Sequence, residues 1–358
     1  MRKVANTAIL LAMIAAPAWA ETDFEASVSK DNSALITQTG SDNRAVINQR
    51  HTGLLNGQAL AEVEQKGDEN NAIVRQSSVT NPVGGDFDNT ARIRQLGDRG
   101  DALIRQVHDY GAAASNTATI IQRADDAVAR IRQRGDDNTA TIRQRGSSYL
   151  PFARVEQNGL SNRAIVNQGS EEGRVKVFQG RFNGEDGDSP ETNFSRVRID
   201  SDGVRPDIYV EQFGWDHQAD ILEAGTDGQI TVRMGGDFNS VDVTQLNTNG
   251  LIEAVSTEGS FDNSAMIIQA ASDVGSRALV RQEGWSGTVE IIQKDEFGLG
   301  GDNRAEVLQT GIGWMSSDLY SSIVQDGGAN AALVRQGADY AQSDIVQSGM
   351  DMTAIVRQ

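Results

Sequence analysis

The sequence predicts an all-β fold, a β-solenoid of about 13 stacked strand-turn-strand rungs whose two facing sheets are each parallel and amyloid-like. Three observations carry this. A seven-residue phrase, N-x-A-x-[IV]-x-Q, recurs along the chain: Asn138, Ala140, Ile142 and Gln144 stand at alternate positions, as do Asn162, Ala164, Val166 and Gln168. Alternation is the period of a strand, which points all four residues the same way. The phrase endings are mostly 11 residues apart, and the longer gaps fall at the joints, as in a solenoid. The joints themselves are turn chemistry: GSDN at 40–43, GDEN at 67–70, GDDN at 135–138 and GGDN at 300–303. Glycine supplies positive φ there, and Asp or Asn can close the turn with its side chain.

The chain begins with the basic pair Arg2 and Lys3, an apolar run, and Ala18-Trp19-Ala20 before Glu21. Residues 1–20 therefore read as a secretory signal peptide with an A-x-A cleavage site. A membrane anchor is disfavoured because the apolar run is well short of the roughly 20 residues a span needs, and no later stretch reads as a transmembrane segment. Residues 21–31 lack the phrase and read as a flexible leader. Only 38% of the 358 residues are apolar, 5% are aromatic and 37 are glycine, which is lean for a large globular core. Net charge is −18, and Arg2 and Lys3 are the only charges before Glu21, so the body carries 30 basic against 50 acidic side chains. A chain that acidic is not expected to bind nucleic acid broadly. The absence of cysteine removes disulfides and thiolate metal sites.

Units end at Gln38, Gln49, Gln65, Gln76, Gln95, Gln106, Gln122, Gln133, Gln144, Gln157, Gln168 and Gln179. A degenerate group ends at Ser201, Gln212, Glu223, Met234, Gln245 and Ser256, and the phrase recovers at Gln269, Gln282, Gln293, Gln309, Gln325, Gln336, Gln347 and Gln358. Of these 26 units, 22 keep the glutamine. Good repeats thus occupy 32–179 and 261–358, degenerate ones 195–260, and an acidic insertion 180–194; the degenerate group reads as a weak seam. Smaller insertions fall near 50–58, 77–88, 107–115 and 310–318. Stacking in register sets small alanine against large Ile or Val across the rung and brings each glutamine amide over its copy, the parts of a cross-β spine. One rung alone cannot offset the entropy of ordering its residues, so each needs neighbours above and below. The expected structural ladder comprises Gln38, Asn43, Gln49, Gln65, Asn70, Gln76, Asn89, Gln95, Gln133, Asn138, Gln144, Asn162, Gln168, Asn263, Gln269, Asn303, Gln309, Asn330, Gln336, Gln347 and Gln358. The last phrase, MTAIVRQ, is followed by no polar cap, which reads as an open edge for another chain.

The spacing resembles the curlin repeat, S-x5-Q-x-G-x2-N-x-A-x3-Q, of the secreted subunits of bacterial curli fibres. Ser33 to Gln49 carries Gln38, Gly40, Asn43, Ala45 and Gln49 at that spacing, and Gln133, Gly135, Asn138, Ala140 and Gln144 repeat it. The resemblance implies an extracellular functional amyloid that mediates adhesion and biofilm formation. It also implies self-polymerisation, a nucleator subunit, and an outer-membrane export pore as partners, with no cofactor and no enzymatic activity.

Other side chains read as structural. His51 and His108 lie in turns and His217 begins a strand, all three expected to be solvated; without an H-E-x-x-H pattern they suggest no zinc site. The acid pairs Asp125-Asp126 and Asp136-Asp137 recur in turns at repeat spacing, as solvated charge does and a glycosidase pair does not. The calcium-binding nine-residue roll repeat is absent. Trp215, Trp285 and Trp314 follow turn glycines and are expected to pack over the joints. Arg75, Arg105, Arg132, Arg233, Arg281, Arg335 and Arg357 all precede the terminal residue of even-numbered units, so one sheet is expected to carry an arginine stripe. Charge balance accounts for such a stripe, as does contact with extracellular polysaccharide, a host surface or a neighbouring fibre. Competing with the fibre subunit are a monomeric secreted β-solenoid that binds or cleaves polysaccharide and an ice-binding solenoid. The first predicts a non-repeating cluster of acids and bases, the second a regular threonine face, and neither stands out in the sequence.

Overall fold

The computed structural model describes residues 9–15, 23–28, 32–52, 58–79, 88–108, 115–146, 151–169, 173–180, 196–201, 206–212, 214, 216–224, 228–246, 250–256, 262–269, 276–294, 302–310, 318–337 and 340–358. Among them there is no helix; every regular element is a strand. The chain forms two compact units, the first within Met1–Glu171 and the second built from Glu172–Arg181 and Asn193–Gln358.

In the first unit the strands are β1 (Ile9–Ala15), β2 (Asp23–Val28), β3 (Ser33–Thr39), β4 (Arg44–Thr52), β5 (Gln58–Lys66), β6 (Asn71–Val79) and β7 (Asp88–Gln95). They continue with β8 (Asp101–His108), β9 (Thr117–Gln122), β10 (Val128–Asp136), β11 (Thr139–Gln144), β12 (Phe152–Leu160) and β13 (Arg163–Gln168). Odd strands form one parallel sheet and even strands the other. The second unit repeats the plan with β14 (Arg174–Gln179), β15 (Arg196–Ser201), β16 (Asp207–Gln212), β17 (Gln218–Glu223), β18 (Gln229–Met234), β19 (Ser240–Gln245), β20 (Leu251–Ser256) and β21 (Ser264–Gln269). It ends with β22 (Arg277–Glu283), β23 (Gly287–Lys294), β24 (Arg304–Thr310), β25 (Leu319–Asp326), β26 (Ala331–Gln336), β27 (Gln342–Ser348) and β28 (Thr353–Arg357). Each strand from β3 to β28 holds one of the 26 repeat units, thirteen on odd strands and thirteen on even ones.

Register follows the letters of the phrase. Between β9 and β11, Ala118 meets Ala140, Ile120 meets Ile142 and Gln122 meets Gln144. Ala140, Ile142 and Gln144 are all fully buried while the intervening residues are not, which is the two-faced pattern a pleated strand requires. A one-residue slip would turn every aliphatic and every amide outward.

The N-terminal segments and the middle of the chain also form strands. The segments read as signal peptide and flexible leader carry β1 and β2, paired in parallel with β3 and β4. A strand edge offers a row of free N–H and C=O groups, and a uniformly apolar segment such as ILLAMIA can occupy it. The first division between the units falls at Glu171/Glu172, ahead of the expected acidic insertion at 180–194, of which residues 181–194 lie outside the described residues. The degenerate group 195–260 keeps continuous in-register strands. Its core is larger than that of the good repeats: Ile208 and Val210, Ile230 and Val232, and Val241 and Val243 replace the Ala and Ile/Val pair and are buried. Met234 stands fully buried where glutamine is lost. Added apolar burial at roughly 25 cal/mol per Å² offsets missing amide hydrogen bonds, which is why this stretch is no break in the column of the second unit.

The turns are set by two positive-φ sites. A glycine opens the turn, as at Gly67 (φ +110°), and the second residue after it is again left-handed although it is not glycine, as at Glu69 (φ 57°). A Cβ on Gly67 would lie 2.6 Å from the carbonyl oxygen of Gly97 one rung away, and one on Gly135 would lie 2.3 Å from that of Gly159. The glycine is therefore fixed by stacking as well as by φ.

Candidate functional site

The repeated interior is the distinctive site of this molecule. In the odd sheet of the first unit, Gln38 Nε2 donates to Gln65 Oε1 at 2.7 Å, Gln65 to Gln95 at 2.9 Å and Gln95 to Gln122 at 2.9 Å. Gln122 then donates to Gln144, and Gln144 to Gln168, each at 3.0 Å. In the even sheet the series runs Gln49, Gln76, Gln106, Gln133, Gln157 at 2.8–2.9 Å. The second unit has shorter ladders: Gln179 to Gln212, Gln282 through Gln309 and Gln336 to Gln358, and Gln293 through Gln325 to Gln347. In every one of these bonds the donor is on the N-terminal rung and the acceptor on the next. The amide dipoles add along the column, and hydrogen bonds in such a chain polarise one another.

Each glutamine also staples its own rung. Gln65 Nε2 donates to the Asn70 carbonyl at 3.0 Å, Gln106 to Asn116 at 2.9 Å and Gln133 to Asn138 at 3.0 Å, closing the turn into the following strand. Inside the ladders the amides are thus hydrogen-bonded along the column and across the turn, and atoms left over at the ends of a ladder, such as Gln38 Oε1 and Gln168 Nε2, lack a partner.

Asparagine does a different job from the amide-over-amide stacking expected of it. Asn43 Nδ2 donates to the Gly67 carbonyl at 2.7 Å while its Oδ1 accepts from the Asn70 backbone N–H at 3.0 Å. Asn138 clamps Gly159 and Asn162 in the same way, and Asn303 clamps Gly327 and Asn330. Asn89 accepts from the Asn116 N–H, and Asn263 from that of Gly287. The clamp locks one turn to the next, and Asn162 also donates to the Asn138 amide oxygen at 2.9 Å. Gln269 sits in β21, but its side chain lies outside the described residues. Gln106, Gln157, Gln282, Gln293 and Gln325 complete the ladders although their units start with Gly100, Pro151, Ser276, Gly287 and Leu319 instead of asparagine. Their signal is the spacing of the terminal glutamine alone.

Turn carboxylates form a second column. Asp68 Oδ1 accepts from the Ser41 N–H at 2.7 Å, Asp98 from Asp68 and Asp125 from Asp98, each at 2.8 Å. Asp thus bonds the neighbouring turn instead of closing its own. The Ser41 N–H holds the Asp68 carboxyl below its ordinary range, and a bidentate pair with Arg99 at 2.6 and 2.8 Å does the same for Asp126. Glu64 is lowered by Lys66, with Arg94 adding to it. No group of three or more His, Asp or Glu placed to hold a metal ion occurs among the described residues.

His217 corrects the expectation of a solvated turn. It is 1% exposed, in the position that Asn239 and Asn263 occupy on the next two odd strands, and burial pushes its imidazole down to about 4. His51 lies in β4 and His108 closes β8, with their side chains outside the described residues. Trp285 lies half-buried in its turn, and Trp215 and Trp314 lie outside the described residues.

All seven stripe arginines lie on even strands. Arg75, Arg105 and Arg132 are consecutive in register on β6, β8 and β10. In the second unit the column is interrupted: Glu211 precedes Arg233, Val255 follows it, and Leu308 separates Arg281 from Arg335. Only Arg335 and Arg357 are adjacent there.

Two overlapping segments, residues 113–146 and 135–169, match the model of the curlin associated repeat. Residues 113–169 carry curlin repeats. The matched segments contain β9 to β13 and hold the Gln122–Gln144–Gln168 and Gln133–Gln157 ladder bonds together with the Asn138 clamp. The letters that define the curlin repeat are thus the buried amides, the turn glycine and the inward alanine. Curlin-repeat proteins are structural, extracellular and self-assembling. No curated protein matches the sequence. No helix among the described residues is long and apolar enough to cross a membrane.

Proposed function

We propose that the chain is a structural subunit of extracellular curli-like amyloid fibres that mediate cell adhesion and build biofilm matrix. One observation carries the reading: parallel strands stacked in register, with identical buried amides bonded along the stacking axis, are the spine of a cross-β fibre inside one chain. A column of this kind extends by adding another rung from another chain, because each rung presents the same donors and acceptors as the last. By resemblance, the subunit leaves the cell unfolded through an outer-membrane pore and polymerises from a nucleator. The low aromatic content and acidic charge fit a chain that must stay unfolded and soluble until it reaches a template.

The test is to dilute residues 21–358 from denaturant and follow dye-reported growth together with electron microscopy. Fibres that form after a lag, with the lag abolished by sonicated seeds, are the expected result. A folded monomer that persists without fibres under seeding would instead favour a secreted solenoid acting alone.

A further inference from the structure

The odd sheet of the second unit turns an aliphatic column toward the outside. Ile268, Ile292, Val324 and Val346, each one place before the end of its unit, follow one another in register on β21, β23, β25 and β27. They alternate with the buried core residues, and Val346 is 76% exposed. The corresponding column of the first unit is mostly polar, running Glu64, Arg94, Ile121, Arg143 and Asn167. Two positions earlier in the second unit runs a column in which acid alternates with neutral residues: Asp242, Met266, Glu290, Ser322 and Asp344. Asp220 stands in register beside Asp242, and burial together with that like charge raises the Asp242 carboxyl above its ordinary range.

The outward face of the even sheet carries the counterpart. Its column reads Arg233, Val255, Arg281, Leu308 and Arg335, cation alternating with aliphatic. Acids stand on β19, β23 and β27 and arginines on β18, β22 and β26, so each acid-bearing strand directly follows an arginine-bearing one and the two alternations are in step. Two positions earlier on the even strands run Leu279, Glu306, Leu333 and Ile355, with Glu306 held by Arg304 at 3.2 Å.

A tight turn reverses the chain between an odd strand and the next even one. Strands therefore run antiparallel where the odd face of one copy meets the even face of another. In that arrangement a single lateral offset sets the acid column over the arginine column and, at the same time, the Ile292 and Val346 column over Leu279 and Leu333. Sheets packed face to face lie about 10 Å apart, close enough for both contacts. We propose that a second copy of this chain docks side by side here, the even sheet of its second unit on the odd sheet of the first copy's second unit. The arginines do not have to be unengaged beforehand. Arg281 pairs with Glu283 at 2.6 Å and Arg233 lies 5.9 Å over the Tyr209 ring, yet a guanidinium has five donors and both side chains are exposed. Nucleic acid or an anionic lipid surface would meet the acid column with like charge. A partner without the strand repeat of about 4.8 Å would match one rung and miss the next. The contact joins different faces of the two copies, so it can continue sideways, and it does not depend on growth at the ends of the column.

The experiment compares the full chain with R281E/R335E and with the charge swap R281E/R335E/E290R/D344R. Side-by-side association is read as bundle width in electron micrographs of fibres and as sedimentation of chains that stay unpolymerised. The native chain is expected to associate laterally, less so in high salt. R281E/R335E should weaken this association about tenfold or more, because like charges then face each other, with dye-reported growth unchanged. The swap should restore it. Circular dichroism checks the fold; if R281E/R335E fails to fold, R281C/E290C decides. Those two sites lie on opposite outward faces of one chain, so oxidation can join them only between copies, and covalent oligomers are expected. Equal lateral association of R281E/R335E and the native chain would overturn the proposal, as would a folded swap that restores nothing or a cysteine pair that yields no oligomers. Absence of fibres from all of these chains would count against the fibre role alone, with sedimentation of the same chains deciding the lateral contact.

Discussion

Replacing Gln106 with leucine is expected to destabilise the first unit by about 1–3 kcal/mol, because the change orphans one buried group, the Gln133 amide oxygen. Gln106 accepts from Gln76 at 2.8 Å and donates to Gln133 at 2.9 Å, and both neighbours are buried. Leucine fills the space but leaves the Gln133 amide oxygen without its donor, while the Gln76 amide nitrogen keeps the Asn89 and Leu60 carbonyls as acceptors. The double variant Q106L/Q133L should cost about as much as either single one. The bond between the two sites is then replaced at both ends, and only the Gln157 amide oxygen loses its Gln133 donor. Denaturant unfolding of the single and double variants measures this directly. Additive losses would mean that each glutamine acts through its own rung and not through the ladder. The second unit shows the apolar solution in nature, with Met234 buried in the ladder position in register with Gln212.

Acidification is expected to remove about 3 kcal/mol from the second unit between pH 6.5 and pH 4, and H217N to abolish that loss. The folded imidazole is held down to about 4 by burial, while the unfolded chain titrates at the ordinary value of 6.5. Between these values the unfolded state binds the proton and the folded state does not. The stabilising contribution is therefore complete above pH 6.5, falls as pH drops toward 4, and declines no further below that. Asparagine, which occupies the same column at Asn239 and Asn263, carries no titrating group. The difference in melting temperature between the chain and H217N, plotted against pH, isolates the effect from the turn carboxylates. Those are held low and lose their contributions only as pH falls further. Parallel pH profiles for the two proteins would refute it.

The strands and their sheet assignment were legible because a period of two with fixed spacing admits one reading. Ala140 and Ile142 have to face inward together, and a unit of 11 residues alternates sheets. The same parity places Arg75, Arg105 and Arg132 on one face. What stayed hidden are the roles that depend on the neighbouring rung. Asn43 and Gln38 are both amides, yet the first sits beside a turn, where the Gly67 carbonyl and the Asn70 N–H are closer than another side chain. Asp68 likewise finds the Ser41 N–H of the adjacent turn before its own. His217 was unreadable for a different reason: the position before a strand is solvated in an ordinary turn but buried in a stacked one, and the sequence alone shows only its place before the strand.

Cysteine pairing tests the stacking most directly, since the native chain has none to interfere. Thr119 and Thr141 are in-register partners on β9 and β11, whereas Thr117 is two residues out of register with Thr141. In-register Cα atoms of paired strands lie about 4.8 Å apart, inside the 4.4–6.8 Å window of a disulfide, and the offset pair lies beyond about 7 Å. Under mild oxidation T119C/T141C should close nearly completely and T117C/T141C should stay reduced. Closure of the offset pair, or of neither, would contradict rungs stacked like over like.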